Sequence, residues 1–373
     1  MMSDKKQPLI ILTAGGTGGH VYPAEALAQE LSRRGFRLML VTDKRGLNNY
    51  RGKLGEIENR AVLSGAVMGK SKWFKIKSLF KLALGVLQSI YIIIRYKPLC
   101  VVGFGGYAAF PCTLAAAICR KKLIIHEQNA VMSRTNRIMQ KYASAVALSS
   151  KNTLYAREDK SILTGMPVRA SISDLANLTY TPPGEDKLFK LLIFGGSQGA
   201  KIFGDVIPEV IRILPENLQA RLDVVQQCRK EEVEELQKKY TELKCANVTI
   251  DSFFDNMAEL YACGHLIISR AGASSISEIA AAAIPCVLVP LPTAADNHQS
   301  ANARDFIFNQ AGLVIEQKDF SAQRLADVLQ KLINAPKILA DFSANTKKFA
   351  IIDADKRLAD VTQKVIKGEA LNV

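Results

Sequence analysis

Two apolar runs in this chain each break on a glycine turn and resume as a helix. Leu9 to Ala14 leads into Gly15-Gly16-Thr17-Gly18-Gly19-His20, and Leu191 to Phe194 leads into Gly195-Gly196-Ser197-Gln198-Gly199-Ala200. After the first turn, Ala24, Leu27, Ala28 and Leu31 recur at helical spacing. Strand, glycine turn and helix in this order open a parallel sheet wound with helices. Further short strands follow in the first half at Phe36 to Val41, Leu99 to Gly103, Lys122 to His126 and Ala145 to Ser149. The second half repeats the design at Leu222 to Gln226, Val248 to Ile250, Leu266 to Ser269 and Cys286 to Val289. At 373 residues and 48% hydrophobic content the chain is long enough for two cores. The polar stretch from Ala170 to Lys190, with Pro182-Pro183-Gly184, predicts the linker between them. A last helical stretch runs from about Leu339 to Ile366.

A glycine turn between strand and helix lets the backbone approach a phosphate, and the helix N-terminus offers N–H groups and partial positive charge. Neither turn is followed by Gly-Lys-Ser/Thr, and neither spaces its glycines as a dinucleotide fingerprint does, which disfavours kinase and dehydrogenase chemistry. A single such turn is as well explained by tight local geometry. Two of them, one per domain, predict two substrates meeting in a cleft, one of which carries a diphosphate.

The seven cysteines form no C-x-x-C pair and are odd in number, which argues against a disulfide framework or a thiolate zinc site and predicts a reduced, cytosolic chain. The apolar run near the N-terminus, Leu9 to Leu12, is too short for a signal-peptide core. Net charge is +14. Between Glu58 and Glu127 there is no acidic residue, while eleven basic ones fall there: Arg60, Lys70, Lys72, Lys75, Lys77, Lys81, Arg95, Lys97, Arg120, Lys121 and Lys122. Such a region suits an anionic membrane surface or nucleic acid, and charge alone does not choose.

Lys70 to Lys97 decides more. Trp73, Ile76, Phe80, Leu84, Leu87, Tyr91 and Ile94 recur at helical spacing beside Lys72, Lys75, Lys77 and Lys81, the pattern of a helix lying in a membrane interface. Its uncharged part, Leu82 to Ile94, falls short of the roughly 20 residues a span requires. The C-terminal half of such a stripe is more commonly core, so membrane contact is assigned mainly to Lys70 to Leu84, with Lys72, Trp73, Ile76, Lys77 and Phe80 as the contact residues.

Of four histidines, His20 stands where the first turn becomes a helix, at the carboxyl end of a strand where open α/β sheets place ligands. It is a candidate general base, against the alternative that it only caps its own helix. Glu278 follows a strand at the start of a helix and is placed to accept hydrogen bonds from ribose hydroxyls, with a Ser275–Glu278 capping box as the competing reading. Asp353-Ala354-Asp355 has D-x-D spacing, but Lys356 and Arg357 follow in a helical region, so it reads as a solvated helix face. No histidine–carboxylate cluster points to a metal.

Seven ordered motifs together resemble the MurG family of peptidoglycan N-acetylglucosaminyltransferases over nearly the whole chain. They are GGTGGH (15–20) with Tyr22-Pro23, GGYAAFP (105–111), HEQN (126–129), TGMPVR (164–169), GGSQGA (195–200), SRAGASSISE (269–278) and DNHQSANA (296–303). The resemblance implies a GT-B fold: two Rossmann-like α/β domains facing a cleft, with the C-terminal helix crossing back to the N-terminal domain. It divides the chain into an acceptor and membrane-facing domain at 1–169, a linker at 170–189, a UDP-GlcNAc domain at 190–345 and a C-terminal helix at 346–373. Carried over by motif, Ser197 and Arg169 touch the diphosphate, Glu278 the ribose and the backbone of Phe254 the uracil. Ala273, Ser274, Ser275, Ile276 and Ser277 line the nucleotide site, Gln299 holds sugar hydroxyls, and Thr17, Gly18, Gly19 and Asn129 close over the donor.

The implied reaction is inverting transfer of GlcNAc from UDP-GlcNAc to the 4-hydroxyl of MurNAc in undecaprenyl-diphosphate-MurNAc-pentapeptide, without metal or cofactor, at the cytoplasmic face of the inner membrane and among wall-synthesis and division partners. Three positions depart from the family pattern: Met166 for asparagine, Ser133 for glycine, and Gln226-Gln227-Cys228-Arg229 for HQ-x-G. The alternatives are a GT-B transferase acting on diacylglycerol and a non-catalytic nucleotide-sugar-binding module. Nucleic-acid binding is the weakest, because the basic stretch carries a bulky apolar face.

Overall fold

The computed structural model describes residues 7–16, 18–49, 53–65, 72–196 and 199–371. They form two compact units, one of the residues up to Arg169 together with those from Ile351, the other Ala170–Ala350.

The first unit is built on a seven-stranded sheet. Its strands are β1 (Leu9–Thr13), β2 (Arg37–Thr42), β3 (Glu58–Ala61), β4 (Cys100–Gly103), β5 (Lys122–Glu127), β6 (Ala145–Leu148) and β7 (Ser161–Leu163), in the order β3-β2-β1-β4-β5-β6-β7. Every pairing is parallel, with Ile10 opposite both Leu38 and Cys100. Parallel strands need crossovers, and helices supply them on both faces. Alternation along β1 shows the result. Ile10 and Leu12 join a core with Leu27 and Leu31 of the helix Gly18–Arg33, whereas Leu9 and Ile11 join one with Val86, Ile92 and Ile93 of the helix Lys72–Tyr96.

The helix Ala354–Lys367 belongs to the first of these cores through Leu358, Val361 and Val365. Burying each such side chain contributes about 1.5–3 kcal/mol, and Arg34 with Asp360 and Lys122 Nζ with the Ile366 carbonyl (2.7 Å) fix its register. The end of the chain therefore completes the N-terminal sheet. It does so as a second helix, separate from Pro336–Lys347, where periodicity suggested one long helical stretch.

The second unit repeats the plan with six parallel strands: β8 (Phe189–Phe194), β9 (Leu222–Gln227), β10 (Asn247–Asp251), β11 (Leu266–Ser269), β12 (Cys286–Leu288) and β13 (Gly312–Val314), ordered β10-β9-β8-β11-β12-β13. Phe189, Leu191 and Ile193 pack on Phe203, Ile207 and Val210 of the helix Lys201–Ile213 and on Leu325, Leu329 and Leu332 of the helix Ala322–Ile333. Residues Ala170–Ser173 and Asp174–Asn177 are helical, and Ile172 and Leu175 are buried in this unit. In both sheets the strand order reverses between two central strands, β1 and β4 or β8 and β11, and open α/β sheets bind ligands outside the carboxyl ends of strands at that point.

Candidate active site

In the first unit the reversal is flanked by the turn after β1 and the turn after β4. His20 is the third residue of the helix Gly18–Arg33, and its imidazole is wedged between the two turns. A Cβ built on Gly15 would lie 3.1 Å from His20 Cδ2, and one on Gly106 would lie 3.4 Å from Cδ2 and Nε2. A side chain at Gly15 would press on the ring and one at Gly106 would touch it, so GGTGGH and GGYAAFP pack against one imidazole. Gly105 and Gly106 also take positive φ, +80° and +79°. Behind them, Tyr22 lies over Gly18, and the Arg169 guanidinium stacks on the Tyr22 ring at 4.8 Å from its centroid. Thr17 and Ser197 lie outside the described residues.

HEQN forms the floor. His126 is fully buried at the end of β5; Nε2 donates to the Gly165 carbonyl (3.1 Å) and Nδ1 accepts from the Gln128 amide (3.2 Å), which also donates to the Phe104 carbonyl (2.8 Å). A carbonyl only accepts, so the tautomer follows from the network. Burial pushes the His126 pKa down from 6.5 to about 4, against the pull of the Gly165 bond and with a further small push from His20. The unfolded chain then binds one proton more than the folded chain between these values, so His126 contributes stability above pH 6.5 that fades as pH falls toward 4. The shift corresponds to about 3 kcal/mol. Thermal melts between pH 7 and 4 should show this loss in the native protein and a weaker one in His126→Asn; equal slopes would contradict it.

Glu127, also fully buried, accepts from the backbone N–H of Asn129 (3.0 Å) and Ser133 (2.8 Å), from Asn136 Nδ2 (2.9 Å) and more weakly from Asn129 Nδ2 (3.4 Å). One carboxylate thus fixes the loop after β5. Asn136 in turn lies against Gly105, where a Cβ would come within 3.3 Å of its Nδ2. Asn129, assigned to the donor by motif, is aimed by Glu127. Sequence reading gave Glu127 and Asn136 no role; the signal available was a carboxylate ending an apolar strand. Ser133 caps the helix Arg134–Met139, accepting from Asn136 N–H at 3.4 Å, which accounts for serine where the family pattern has glycine. Met166 is buried, with the Ser149 hydroxyl 3.6 Å from its sulfur.

In the second unit the turn after β8 carries positive φ at Gly196 (+80°) and Gly199 (+67°). The candidates for the nucleotide are joined by a chain of ring contacts. Phe254 meets Phe194 edge-on at 5.8 Å, Phe194 meets Tyr261 at 6.3 Å, and the Tyr261 hydroxyl donates to Glu278 Oε2 at 3.2 Å. The helix Ala273–Ala281 starts directly after β11 with Gly272 as N-cap, so Ala273, Ser274, Ser275, Ile276 and Ser277 make up its first turns. Ser275 is therefore inside the helix, and the capping-box reading of Ser275 with Glu278 does not hold. Gln299 Oε1 accepts from the Leu291 N–H (2.9 Å), which ties DNHQ to the loop after β12. Arg270 is buried among carbonyls, its Nη1 donating to Val289 O (3.1 Å) and Nη2 to Gln317 Oε1 (2.7 Å). In the departing segment, Gln226 accepts from the Tyr240 hydroxyl (2.5 Å), and Arg229 backs Gly199, its Cγ 3.1 Å from where a Cβ would stand.

Along the helix Lys72–Tyr96, Trp73 (82% exposed), Ile76, Phe80, Leu87, Tyr91 and Ile94 form one exposed apolar stripe. Lys77 and Lys81 are exposed as well, while the side chain of Lys72 lies outside the described residues. The C-terminal half, read from sequence as core, has both characters: Val86, Ile92 and Ile93 are buried, and Leu87, Tyr91 and Ile94 face out. The segment Ile76–Tyr96 is long and apolar enough to cross a membrane by composition. Its core residues nevertheless pack on Ile11 and Val101 of the sheet, so the helix lies against its own unit.

Among the described residues no group of three or more His, Cys, Asp or Glu side chains is placed to hold a metal ion.

Residues 10–148 match the glycosyltransferase family 28 N-terminal domain, and residues 190–358 the glycosyltransferase family 28 C-terminal domain. A UDP-N-acetylglucosamine–N-acetylmuramyl-(pentapeptide) pyrophosphoryl-undecaprenol N-acetylglucosamine transferase of Bartonella henselae is 42% identical over 374 residues, taking in 100% of this chain and 97% of the relative. The protein of the same name from Rhodospirillum rubrum is 41% identical, with 94% and 90% covered. The crystal structure of Acinetobacter baumannii MurG superposes with a TM-score of 0.77 at 30% identity, covering 96% of this chain and 99% of that one. With two doubly wound sheets, both domain families matched and relatives about 40% identical along its whole length, the chain belongs to the MurG family of glycosyltransferases.

Proposed function

We infer that the protein transfers N-acetylglucosamine from UDP-GlcNAc to the 4-hydroxyl of MurNAc in undecaprenyl-diphosphate-MurNAc-pentapeptide, inverting the anomeric centre. The observation that carries this is the seating of His20 between two glycine turns at the reversal of the first sheet, in a chain that matches relatives with this activity along its whole length. A ring held there by steric fit is pre-positioned, and a positioned base is worth about 10²–10⁴-fold. The muramyl oxygen attacks the anomeric carbon, its proton passes to His20, and the bonding pair leaves with the UDP oxygen. Backbone N–H groups of the turn 195–200, Ser197 and Arg169 stabilise the departing diphosphate. Glu278 takes the ribose and Phe254 the uracil, supported by the aromatic chain that joins them. Ala273 to Ser277 line the nucleotide, Gln299 takes sugar hydroxyls, and Thr17, Gly18, Gly19 and Asn129 act on the donor. The test is transfer of labelled GlcNAc to a short-chain lipid-linked MurNAc-pentapeptide; transfer to diacylglycerol in its place would assign the chain to a different glycolipid.

An acceptor held in a bilayer requires an enzyme that works at its surface, and we place that contact on the exposed stripe of the helix Lys72–Tyr96. From Trp73 to Ile94 the stripe is about 32 Å long at the helical rise, and Lys77 and Lys81 add roughly 1 kcal/mol each near anionic lipid. We propose the cytoplasmic face of the inner membrane as the place of this contact, with the protein peripheral to it. The double variant Trp73→Ser, Phe80→Ser should lower partition to phosphatidylglycerol vesicles at least tenfold, and Leu87→Ser, Tyr91→Ser by a smaller factor. Unchanged partition of the first pair would refute the placement.

A further inference from the structure

Arg169 and the turn 195–200 are assigned to the diphosphate of UDP, so the diphosphate of the acceptor needs cations of its own. The segment after β2 carries two. Thr42 Oγ1 donates to the carbonyl of Ala14, just past β1 (2.8 Å), and Gly46 packs so closely on the first glycine turn that a Cβ on Gly16 would stand 3.3 Å from its α-carbon. A Cβ on Gly46 itself would overlap the Thr42 hydroxyl. Asp43 completes the brace, one carboxylate oxygen accepting from the Gly46 N–H (2.8 Å) and the other from the Ser64 hydroxyl (2.8 Å). Between these tied residues stand Lys44 and Arg45, both exposed and neither in an ion pair among the described residues. The charge belongs to their side chains and not to the helix they open, Lys44–Asn49, which is six residues long. Farther along this edge of the sheet, Arg137 lies on Tyr155, Arg157 pairs with Asp159, and Lys151 follows β6, three places from β1.

We infer that Lys44 and Arg45 hold the diphosphate of the acceptor. This rests on the transferase reading above and adds a point of attachment to it. A diphosphate diester carries two negative charges, which two unpaired cations match: an arginine grips a phosphate through parallel N–H donors, and a lysine adds a point charge. The placement agrees with the reaction. The muramyl 4-hydroxyl gives its proton to His20, which sits between the turns after β1 and β4, while the diphosphate hangs from carbon 1 at the opposite end of the same sugar. In the order β2-β1-β4 the pair stands one to two strand spacings from the imidazole, about 5–10 Å. One sugar with its bridging oxygens covers such a gap.

The experiment compares two short-chain lipid-linked MurNAc-pentapeptides, one joined through a diphosphate and one through a single phosphate. The double variant Lys44→Ala, Arg45→Ala should raise KM for the diphosphate acceptor about tenfold and KM for the monophosphate acceptor by about threefold at most. Its KM for UDP-GlcNAc and its partition to phosphatidylglycerol vesicles should stay within about twofold of native. Both side chains are exposed, so the melting temperature should not fall. The exchange Lys44→Arg, Arg45→Lys keeps both charges and should recover most of the loss. An unchanged KM for the diphosphate acceptor or an equal rise on both acceptors would overturn the assignment. So would a matching rise in KM for UDP-GlcNAc, which would give the pair to the donor, or a fall in vesicle partition, which would give it to lipid headgroups. Each of these leaves the transferase reading intact. A native enzyme that glycosylates neither acceptor would refute that reading, and the assignment with it.

Discussion

Replacing His20 with alanine should lower kcat by about 10²–10⁴-fold while leaving the affinity for UDP-GlcNAc within about twofold of the native value. The expectation follows from where the ring sits. It fills space that Gly15 and Gly106 leave open in the first unit, whereas the aromatic chain and glycine turn assigned to the nucleotide belong to the second. Steady-state transfer and calorimetric titration with UDP-GlcNAc separate the two effects. Loss of donor affinity matching the loss of rate would make His20 a binding residue, and an unchanged rate would remove it from the mechanism. Gly106→Ala is the steric counterpart. Alanine is strained at φ +79°, and relaxation of the turn with a methyl group already in contact with the imidazole should shift the ring and give a rate loss of the same kind, with donor binding again spared.

Removing the Glu127 carboxylate should have the largest effect on stability. Glu127→Ala leaves the N–H groups of Asn129 and Ser133 and the amide of Asn136 facing the space of a buried anion. Uncompensated groups of this kind cost about 3–5 kcal/mol in total, or a drop in melting temperature of about 10 °C for a unit of this size. Glu127→Gln keeps the shape and one acceptor oxygen, so it should retain more than half of that stability while still losing activity, because its amide N–H₂ meets donors where an oxygen had accepted. Differential scanning calorimetry with parallel transfer assays reads both. A Glu127→Gln enzyme of native activity would show that the carboxylate charge positions nothing the reaction needs.

Much of the architecture was legible because its signals are local. A buried parallel strand is a short apolar run, and its glycine turn is a composition no other element uses, so β1, β4, β5, β8 and β11 stand out in the residues themselves. The strands that escaped are β3, β7 and β13. They are edge strands of three or four residues, and Glu58-Asn59-Arg60-Ala61 has no apolar alternation to detect. The return of the last helix to the first sheet was implied by family resemblance; periodicity shows an amphipathic face without saying what covers it. The same limit explains Lys72–Tyr96, where an inward row at Val86 and Ile92–Ile93 and an outward row at Leu87, Tyr91 and Ile94 share one apolar composition. Only the position of the sheet separates them.

At the site, glycine spacing pointed to His20, but the reason for Gly105 and Gly106 was hidden because the residues they accommodate are distant in sequence. Glu127 was overlooked for a similar reason: its partners lie two to nine positions away on a loop, and no periodicity relates them. Glu278 was singled out for its place at the start of a helix, yet its hydroxyl partner, Tyr261, comes from a different helix.

The central claim is best tested by incubating the purified protein with radiolabelled UDP-GlcNAc and a short-chain lipid-linked MurNAc-pentapeptide, with diacylglycerol as the rival acceptor. The account predicts label on the muramyl lipid alone, with inverted anomeric configuration in the product. Label on diacylglycerol, or on neither acceptor while UDP-GlcNAc still binds, would contradict it.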